Sequence, residues 1–112
     1  MKIFTEQAMP MPVLHDKHRT YDANTPMRAW FEKIEEEVLE AHEQAVFLEI
    51  FSNEDSRKAL AYELTDIKTV CETFLNALGY DASARADIQC EVNEKNSKRG
   101  YLKPIEKGGE GR

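Results

Sequence analysis

Two pairs of acidic residues have a spacing that brings carboxylates together on a helix. Glu37 and Glu40 lie three positions apart, and Glu63 and Asp66 repeat that spacing later in the chain. Residues three apart are neighbours on one helical face, so each pair predicts half of a metal site. Mg²⁺ prefers oxygen ligands, and two such pairs on packed helices would surround one or two ions, with Mn²⁺ as an alternative.

These acids also have matched positions beside the apolar stripes of their helices. Glu37 and Glu63 each fall about 60° from the centre of their own stripe. Glu40 and Asp66 each fall about 120° away, on the same side. Helices joined by a short turn pack antiparallel, so all four acids should border one edge of the helix interface. A solvated helix boundary is the simpler interpretation, because charge runs usually face water, and the geometry leaves both open.

Three residues late in the chain can bind anions. Lys95, Asn96 and Arg99 continue the inward stripe of the last predicted helix. Cations there can simply complement the helix dipole. A polyphosphate, however, needs metal ions and cationic groups around its oxygens. The chain has no GxxxxGK loop, so we expect any phosphate binding to combine the acids, a metal and these three side chains.

Two long amphipathic helices must position the acids. Apolar residues recur at helical spacing over about residues 26–51 and again over about residues 55–78. The first helix should begin with Thr25 as N-cap and Pro26 at the first helical position. Gly79 should end the second helix, because glycine tolerates the left-handed conformation.

A third helix completes the predicted fold. It starts at Asp81 or Ser83 as N-cap and runs to about Lys98. With 112 residues and 41% hydrophobic content, the chain can bury one modest core. We therefore predict a single domain over residues 1–112, an all-α antiparallel bundle of about four helices.

The two ends of the chain are predicted to be less regular. Prolines interrupt residues 1–24, an irregular segment that can hold one short helix over about residues 13–21. His15 and His18 lie three apart there, and exposed polar side chains are preferred to metal ligands because no third ligand is near. Residues 102–112 contain too few apolar residues to pack and should form a mobile tail.

Self-association is expected to complete the core. Both long helices carry more apolar residues than one small hairpin can cover. The residues in question are Phe47, Ile50, Phe51, Val70 and Phe74. A homodimer or homotetramer would bury them.

Charge and cysteine usage restrict the partners and the compartment. The formal net charge of −6 disfavours nucleic acid and anionic membranes as partners. Cys71 and Cys90 are far apart, which argues against a disulfide framework or a zinc motif. The first residues lack the apolar run of a signal peptide, and no segment approaches membrane-spanning length. A cytoplasmic location is the expectation.

The acidic motifs resemble those of the all-α nucleoside triphosphate pyrophosphohydrolases of the MazG type. The family pattern is EExxE followed by ExxD, which here is Glu36-Glu37-x-x-Glu40 and then Glu63-x-x-Asp66. The resemblance covers about residues 26–101, whereas residues 1–24 match no family helix. The flanking matches are Lys33-Ile34, Ile67-Lys68-Thr69-Val70, Leu78-Gly79-Tyr80 and Lys95-Asn96-x-x-Arg99-Gly100.

The resemblance implies a hydrolase that cleaves a nucleoside triphosphate between its α and β phosphates, releasing a monophosphate and pyrophosphate. It implies that Mg²⁺ is required and that Glu36 orients or deprotonates the attacking water. The implied metal ligands are Glu37, Glu40, Glu63 and Asp66, and the implied phosphate-binding residues are Lys95, Asn96 and Arg99.

The resemblance leaves base recognition open, because residues 1–24 depart from the pattern. Trp30 can stack on a base, although a tryptophan on an apolar stripe more often belongs to a core or a dimer interface.

One alternative function fits the same residues, and a second is disfavoured by a missing ligand. A non-catalytic helical module would bind a nucleotide or a partner through the same face. A carboxylate-bridged di-iron bundle requires a Glu-x-x-His motif, but the residue three before His42 is Leu39.

Overall fold

The chain folds into three helices preceded by a short β-hairpin. The computed structural model describes residues 14–102. The elements are β1, Leu14–His15; β2, Thr20–Tyr21; α1, Met27–Ile50; α2, Glu54–Ala77; and α3, Ala82–Lys98. The strands are antiparallel, with Leu14 paired to Tyr21 and His15 paired to Thr20. The prediction of a mainly helical domain with two long helices and a third is confirmed.

The predicted short helix over residues 13–21 is wrong, because the described part of that segment is the hairpin. The Asp16 carboxylate accepts the backbone N–H groups of His18 and Arg19, at 2.9 and 3.2 Å. Asp16 N–H in turn donates to the Arg19 carbonyl at 3.0 Å. An aspartate that bonds nearby backbone in this way favours a turn over a helix. Residues 14–102 therefore contain three helices instead of about four, and His15 and His18 belong to the hairpin.

The start of α1 differs from the prediction by one residue. Pro26 is the N-cap, with an extended backbone, and its carbonyl accepts the N–H groups of Ala29 and Trp30. The Thr25 hydroxyl makes no cap. It accepts the N–H of Asp22 at 2.8 Å and donates to the Thr20 carbonyl at 3.3 Å, so it fixes the loop between hairpin and helix.

The other helix boundaries follow the sequence signals. The Asn53 side chain caps α2 by accepting the N–H of Ser56 at 2.9 Å. Gly79 follows the end of α2 with φ of 105°, where any other residue would be strained. Asp81, one of the two predicted candidates, caps α3 by accepting the N–H of Ala84 at 2.9 Å.

The core lies between the start of α1 and the end of α2. Trp30 is 1% exposed. Its ring stacks on Phe74 with centroids 4.6 Å apart and lies 5.3 Å from the ring of Tyr21. Because an early α1 residue meets a late α2 residue, the two helices run antiparallel, as predicted. Val70 belongs to the same cluster.

Arg85 holds the start of α3 against α2. Its side chain is buried, and its Nε donates to Glu72 Oε1 at 2.9 Å. Its Nη1 donates to Asn76 Oδ1 at 3.1 Å and also to the Tyr80 carbonyl. Farther along α3, the predicted inward stripe is only partly covered, and Val92 is exposed. This helix therefore depends on polar contacts near its start.

Of the five apolar residues expected to need a partner, three are exposed and two pack within the chain. Phe47, Ile50 and Phe51 are exposed, at 51%, 63% and 55%. Val70 and Phe74, in contrast, pack within the chain around Trp30, so for these two residues the expectation is wrong.

Two remaining predictions concern membrane-spanning helices and the two ends of the chain. None of the helices between residues 14 and 102 combines the length and apolar character required to cross a bilayer. The predicted mobile tail lies outside the described residues except for Leu102, as do the first 13 residues of the irregular segment 1–24.

Candidate metal centre

Five acids of α1 and α2 meet at one edge of the helix pair. Oxygens of Glu37, Glu63 and Asp66 all lie within 4.8 Å of one another, and so do oxygens of Glu36, Glu37 and Glu40. Glu37 belongs to both groups and thereby joins the two helices at this point. The antiparallel packing is what brings the two sequence motifs together.

Two carboxylate oxygens in the cluster are buried without a hydrogen-bond partner among the described residues. They are Oε1 of Glu37 and Oε1 of Glu63. Glu37 as a whole is only 7% exposed. A buried carboxylate oxygen left unsatisfied is costly, and hard cations bind such oxygens. The donor set therefore fits a divalent ion such as Mg²⁺ or Mn²⁺.

Two carboxylates of the cluster, those of Glu37 and Glu40, have raised pKa values. Burial raises the pKa of Glu37, and the charges of Glu40 and Asp66 raise it further, against the opposing effect of Lys33. Burial also raises the pKa of Glu40, together with the charges of Glu63 and Glu36. A bound cation would relieve this repulsion, as crowded carboxylates require.

Lys33 also belongs to this site. In the resemblance to the family motif it was only a residue that flanks the first acidic pattern. Its Nζ lies 3.3 Å from Glu37 Oε2, 3.6 Å from Glu36 Oε2 and 3.2 Å from Asp16 Oδ2. Burial lowers the pKa of Lys33, but the hydrogen bonds to Asp16 and Glu37 outweigh that effect and raise it overall. Lys33 is therefore a permanent cation at this edge.

Part of this set of charged contacts around Lys33 could have been predicted from the sequence. Glu36 and Glu37 follow Lys33 by three and four positions, which is the spacing of helical ion pairs. No sequence pattern indicated that Asp16 would contact Lys33, because the hairpin that positions Asp16 was predicted as a helix. The backbone N–H of His18 lowers the pKa of Asp16 well below its usual range, against burial and with the help of Lys33.

The predicted phosphate-binding residues lie on the last turn of α3 and directly after it. Lys95 and Arg99 are exposed, and Asn96 is half-buried. Within residues 14–102, no ion pair joins Lys95 or Arg99 to the acids of the cluster. The five acids thus lie together, whereas no ion pair among the described residues connects Lys95 or Arg99 to them.

The structure places Trp30 in the core, which is the alternative to the base-stacking interpretation. Phe74 covers one face of its ring, and the side chain is buried within the core. A nucleobase would have to displace Phe74 to stack there. Trp30 is the central core residue instead.

Comparisons of the chain with protein-family models, with curated proteins and with solved structures give no match.

Proposed function

We propose that this protein is a Mg²⁺-dependent nucleoside triphosphate pyrophosphohydrolase of the MazG-like, all-α type, with Mn²⁺ as an alternative ion. It would cleave between the α and β phosphates and release a nucleoside monophosphate and pyrophosphate. The observation that carries the proposal is the meeting of Glu37 with Glu63 and Asp66, where two buried carboxylate oxygens have no partner among the described residues.

The proposed ligands of the ion are Glu37, Glu40, Glu63 and Asp66. Their charges would hold the metal at the helix edge, where it would neutralise phosphate oxygens during the reaction. Phosphoryl transfer depends mainly on such charge stabilisation and on positioning, and less on covalent chemistry by the protein. This fits a site composed almost entirely of carboxylates.

Glu36 is the proposed acceptor of a proton from the attacking water. It is exposed and adjacent to the buried Glu37, and one of its oxygens lies within 4.8 Å of ligand oxygens of Glu37 and Glu40. A carboxylate at the solvent side of the ligands can orient a water molecule toward a phosphorus atom.

Lys95, Asn96 and Arg99 are the proposed phosphate-binding residues. The two cations make no ion pair with another described residue, so their charges are available to an anion. Cationic side chains favour phosphate through charge-assisted hydrogen bonds.

We also propose that the protein acts as a homodimer or homotetramer. Exposed apolar residues near the turn between α1 and α2 support this, because monomeric proteins rarely expose large contiguous apolar patches. The central members of this surface are Phe47, Ile50 and Phe51.

The test of the enzymatic function is release of pyrophosphate from a panel of canonical and modified nucleoside triphosphates, with and without Mg²⁺. We expect Mg²⁺-dependent release with at least one substrate, and its loss in Glu36→Gln. Glu35→Gln is the matched control, since Glu35 is exposed and lies outside both acid groups. Folded protein that releases no pyrophosphate from any substrate would contradict the proposal. Tight binding of an intact nucleotide by isothermal titration would then favour a non-catalytic binding module.

A further inference from the structure

The two carboxylate oxygens of Glu37 have different surroundings. Oε2 forms an ion pair with Lys33 Nζ at 3.3 Å. Oε1 is buried and has no hydrogen-bond partner among the described residues. The carboxylate is therefore held at one oxygen, and the other is left for a ligand.

Lys33 is itself held from the opposite side. Asp16 Oδ2 lies 3.2 Å from its Nζ, and the lysine side chain is only 10% exposed. Asp16 in turn accepts the backbone N–H groups of His18 and Arg19 and the hydroxyl of Tyr21. A continuous set of polar contacts thus runs from the hairpin to the acid cluster.

The base of this network is rigid because it rests on the core. The Tyr21 ring packs against Trp30, which stacks on Phe74 of α2. The residue that anchors Asp16 is therefore fixed relative to both helices that carry the acids. Such outer contacts orient metal ligands in many proteins.

We propose that Lys33, fixed by Asp16 of the hairpin, is a positioning residue for the metal centre: it occupies Oε2 of Glu37 and so presents Oε1 of Glu37 to the ion. This inference rests on the proposed metal-dependent function. It assigns a role to the hairpin, which carries none of the acids of the cluster.

The direction of a mutational effect separates this role from a simple charge effect. A lysine beside a cation site repels the cation, so loss of the charge alone would strengthen metal binding. Loss of a residue that orients a ligand weakens binding instead, by about 10–100-fold for outer contacts of this kind. The two roles of Lys33 therefore predict opposite signs.

The experiment is isothermal titration with Mn²⁺ alone on the full chain. We expect Lys33→Met to bind Mn²⁺ about 10–100-fold more weakly, and Asp16→Asn to bind more weakly by a smaller factor, because Lys33 is then held less firmly. Arg57→Met is the matched control, since Arg57 pairs with Glu54 on an exposed part of α2 and should leave affinity unchanged.

The outcomes distinguish the two proposals. Unchanged or tighter Mn²⁺ binding by Lys33→Met would overturn the positioning role while leaving the metal-dependent function intact. An unsubstituted protein that binds no Mn²⁺ would contradict the function and the positioning role together. If Lys33→Met does not fold, as judged by its melting curve, Lys33→Gln, which also removes the charge, replaces it: weaker Mn²⁺ binding supports the positioning role, and unchanged or tighter binding overturns it. In turnover, Lys33→Met should require more Mg²⁺ for half-maximal rate and recover much of its kcat at saturation.

Discussion

Glu37 is the residue that connects the two halves of the candidate metal centre. It shares one group of neighbouring oxygens with Glu36 and Glu40 on α1, and another with Glu63 and Asp66 on α2. It is also the most buried of the five acids, so its charge is the least compensated by water. Substitutions at this residue should therefore separate metal binding from folding.

If the proposed function is right, Glu37→Gln should reduce Mg²⁺-dependent turnover by at least about a hundredfold, because it removes the charge of a proposed metal ligand and charge stabilisation would supply most of the catalysis. Its metal-free thermal stability should be unchanged or raised, since the substitution removes a buried charge from a crowded cluster. Melting curves without and with Mg²⁺ provide the measurement, and the stabilisation by Mg²⁺ should disappear.

Asp66→Asn should give the same pattern from the other helix, with turnover lost and metal-free stability retained. The control is again Glu35→Gln, which should keep both turnover and the Mg²⁺-dependent rise in melting temperature. A clear loss of metal-free stability in Glu37→Gln or Asp66→Asn would mean that the acids serve folding instead.

The free energy of unfolding should change with pH in opposite directions in the absence and in the presence of bound metal. The folded-state pKa values of Glu37 and Glu40 are raised above 4.5, so the folded protein binds protons that the unfolded protein does not. Without metal, the free energy of unfolding should therefore rise as pH falls from neutral toward the ordinary glutamate pKa of 4.5. The other charged groups facing this pair are Lys33, Glu36, Glu63 and Asp66.

Neither member of the Lys33–Asp16 pair should obscure this trend. The pKa of Lys33 is raised, so it stays charged throughout this range. The pKa of Asp16 is lowered, so its contribution is fully present above its ordinary value of 3.8 and is lost only in stronger acid. With saturating Mg²⁺, stability should instead fall toward pH 5 or so, because protons compete with the metal. Denaturant unfolding at several pH values measures both trends, and metal-free stability that falls with pH would contradict the prediction.

At the scale of elements, α1 and α2 form the scaffold of the site, whereas α3 is attached to them mainly by polar contacts. Arg85 contacts Glu72, Asn76 and the Tyr80 carbonyl, and it is the one buried residue of α3. This attachment fixes the start of α3, while its far end, with Lys95 and Arg99, stays exposed.

Arg85→Met should destabilise the protein by about 1–3 kcal/mol, because hydrogen-bond acceptors at the junction of α2 and α3 lose their donor. Denaturant unfolding followed by circular dichroism measures the change. Lys98→Met, an exposed substitution on the same helix, should alter stability by less than about 0.5 kcal/mol. Equal stability of Arg85→Met and the unsubstituted protein would show that α3 is held in another way.

At the scale of the whole molecule, the core of one chain is small and leaves much apolar surface uncovered. The buried cluster centres on Trp30 and lies near the hairpin. The opposite end of the helix pair exposes Phe47 and Phe51, whose rings stack on each other with centroids 6.5 Å apart, as well as Ile50. Leu39, which precedes these residues in α1, is also exposed, at 65%. Burial of these side chains against another copy would add the apolar contact that a single chain lacks.

Light scattering should give the mass of a dimer or tetramer, and Phe47→Glu combined with Phe51→Glu should shift the protein toward monomer by placing charges in the contact. Lys58→Glu is a suitable control on α2, since it changes charge at an exposed polar residue. A monomeric unsubstituted protein at micromolar concentration would contradict the proposed assembly.

Local sequence signals determined much of this architecture. Helical periodicity, the Asn53 and Asp81 caps and Gly79 set the boundaries of α2 and α3 because each acts over a few residues. The spacing of the acids, with antiparallel pairing, also predicted that Glu37 and Asp66 would lie at one edge. These inferences succeed because helical geometry is fixed by the chain itself.

Only the tertiary structure decided the features that depend on contacts between distant segments. The hairpin brings Asp16 to Lys33, and no local pattern encodes a contact across 17 positions. Packing of Trp30 against Tyr21 and Phe74 places it in the core, a choice between core and base stacking that the apolar stripe alone left open. The two oxygens of Glu37 likewise differ because one meets Lys33 and the other is buried without a hydrogen-bond partner among the described residues. Spacing placed the carboxylates together, and packing decided which oxygen of Glu37 pairs with Lys33 and which has no partner among the described residues.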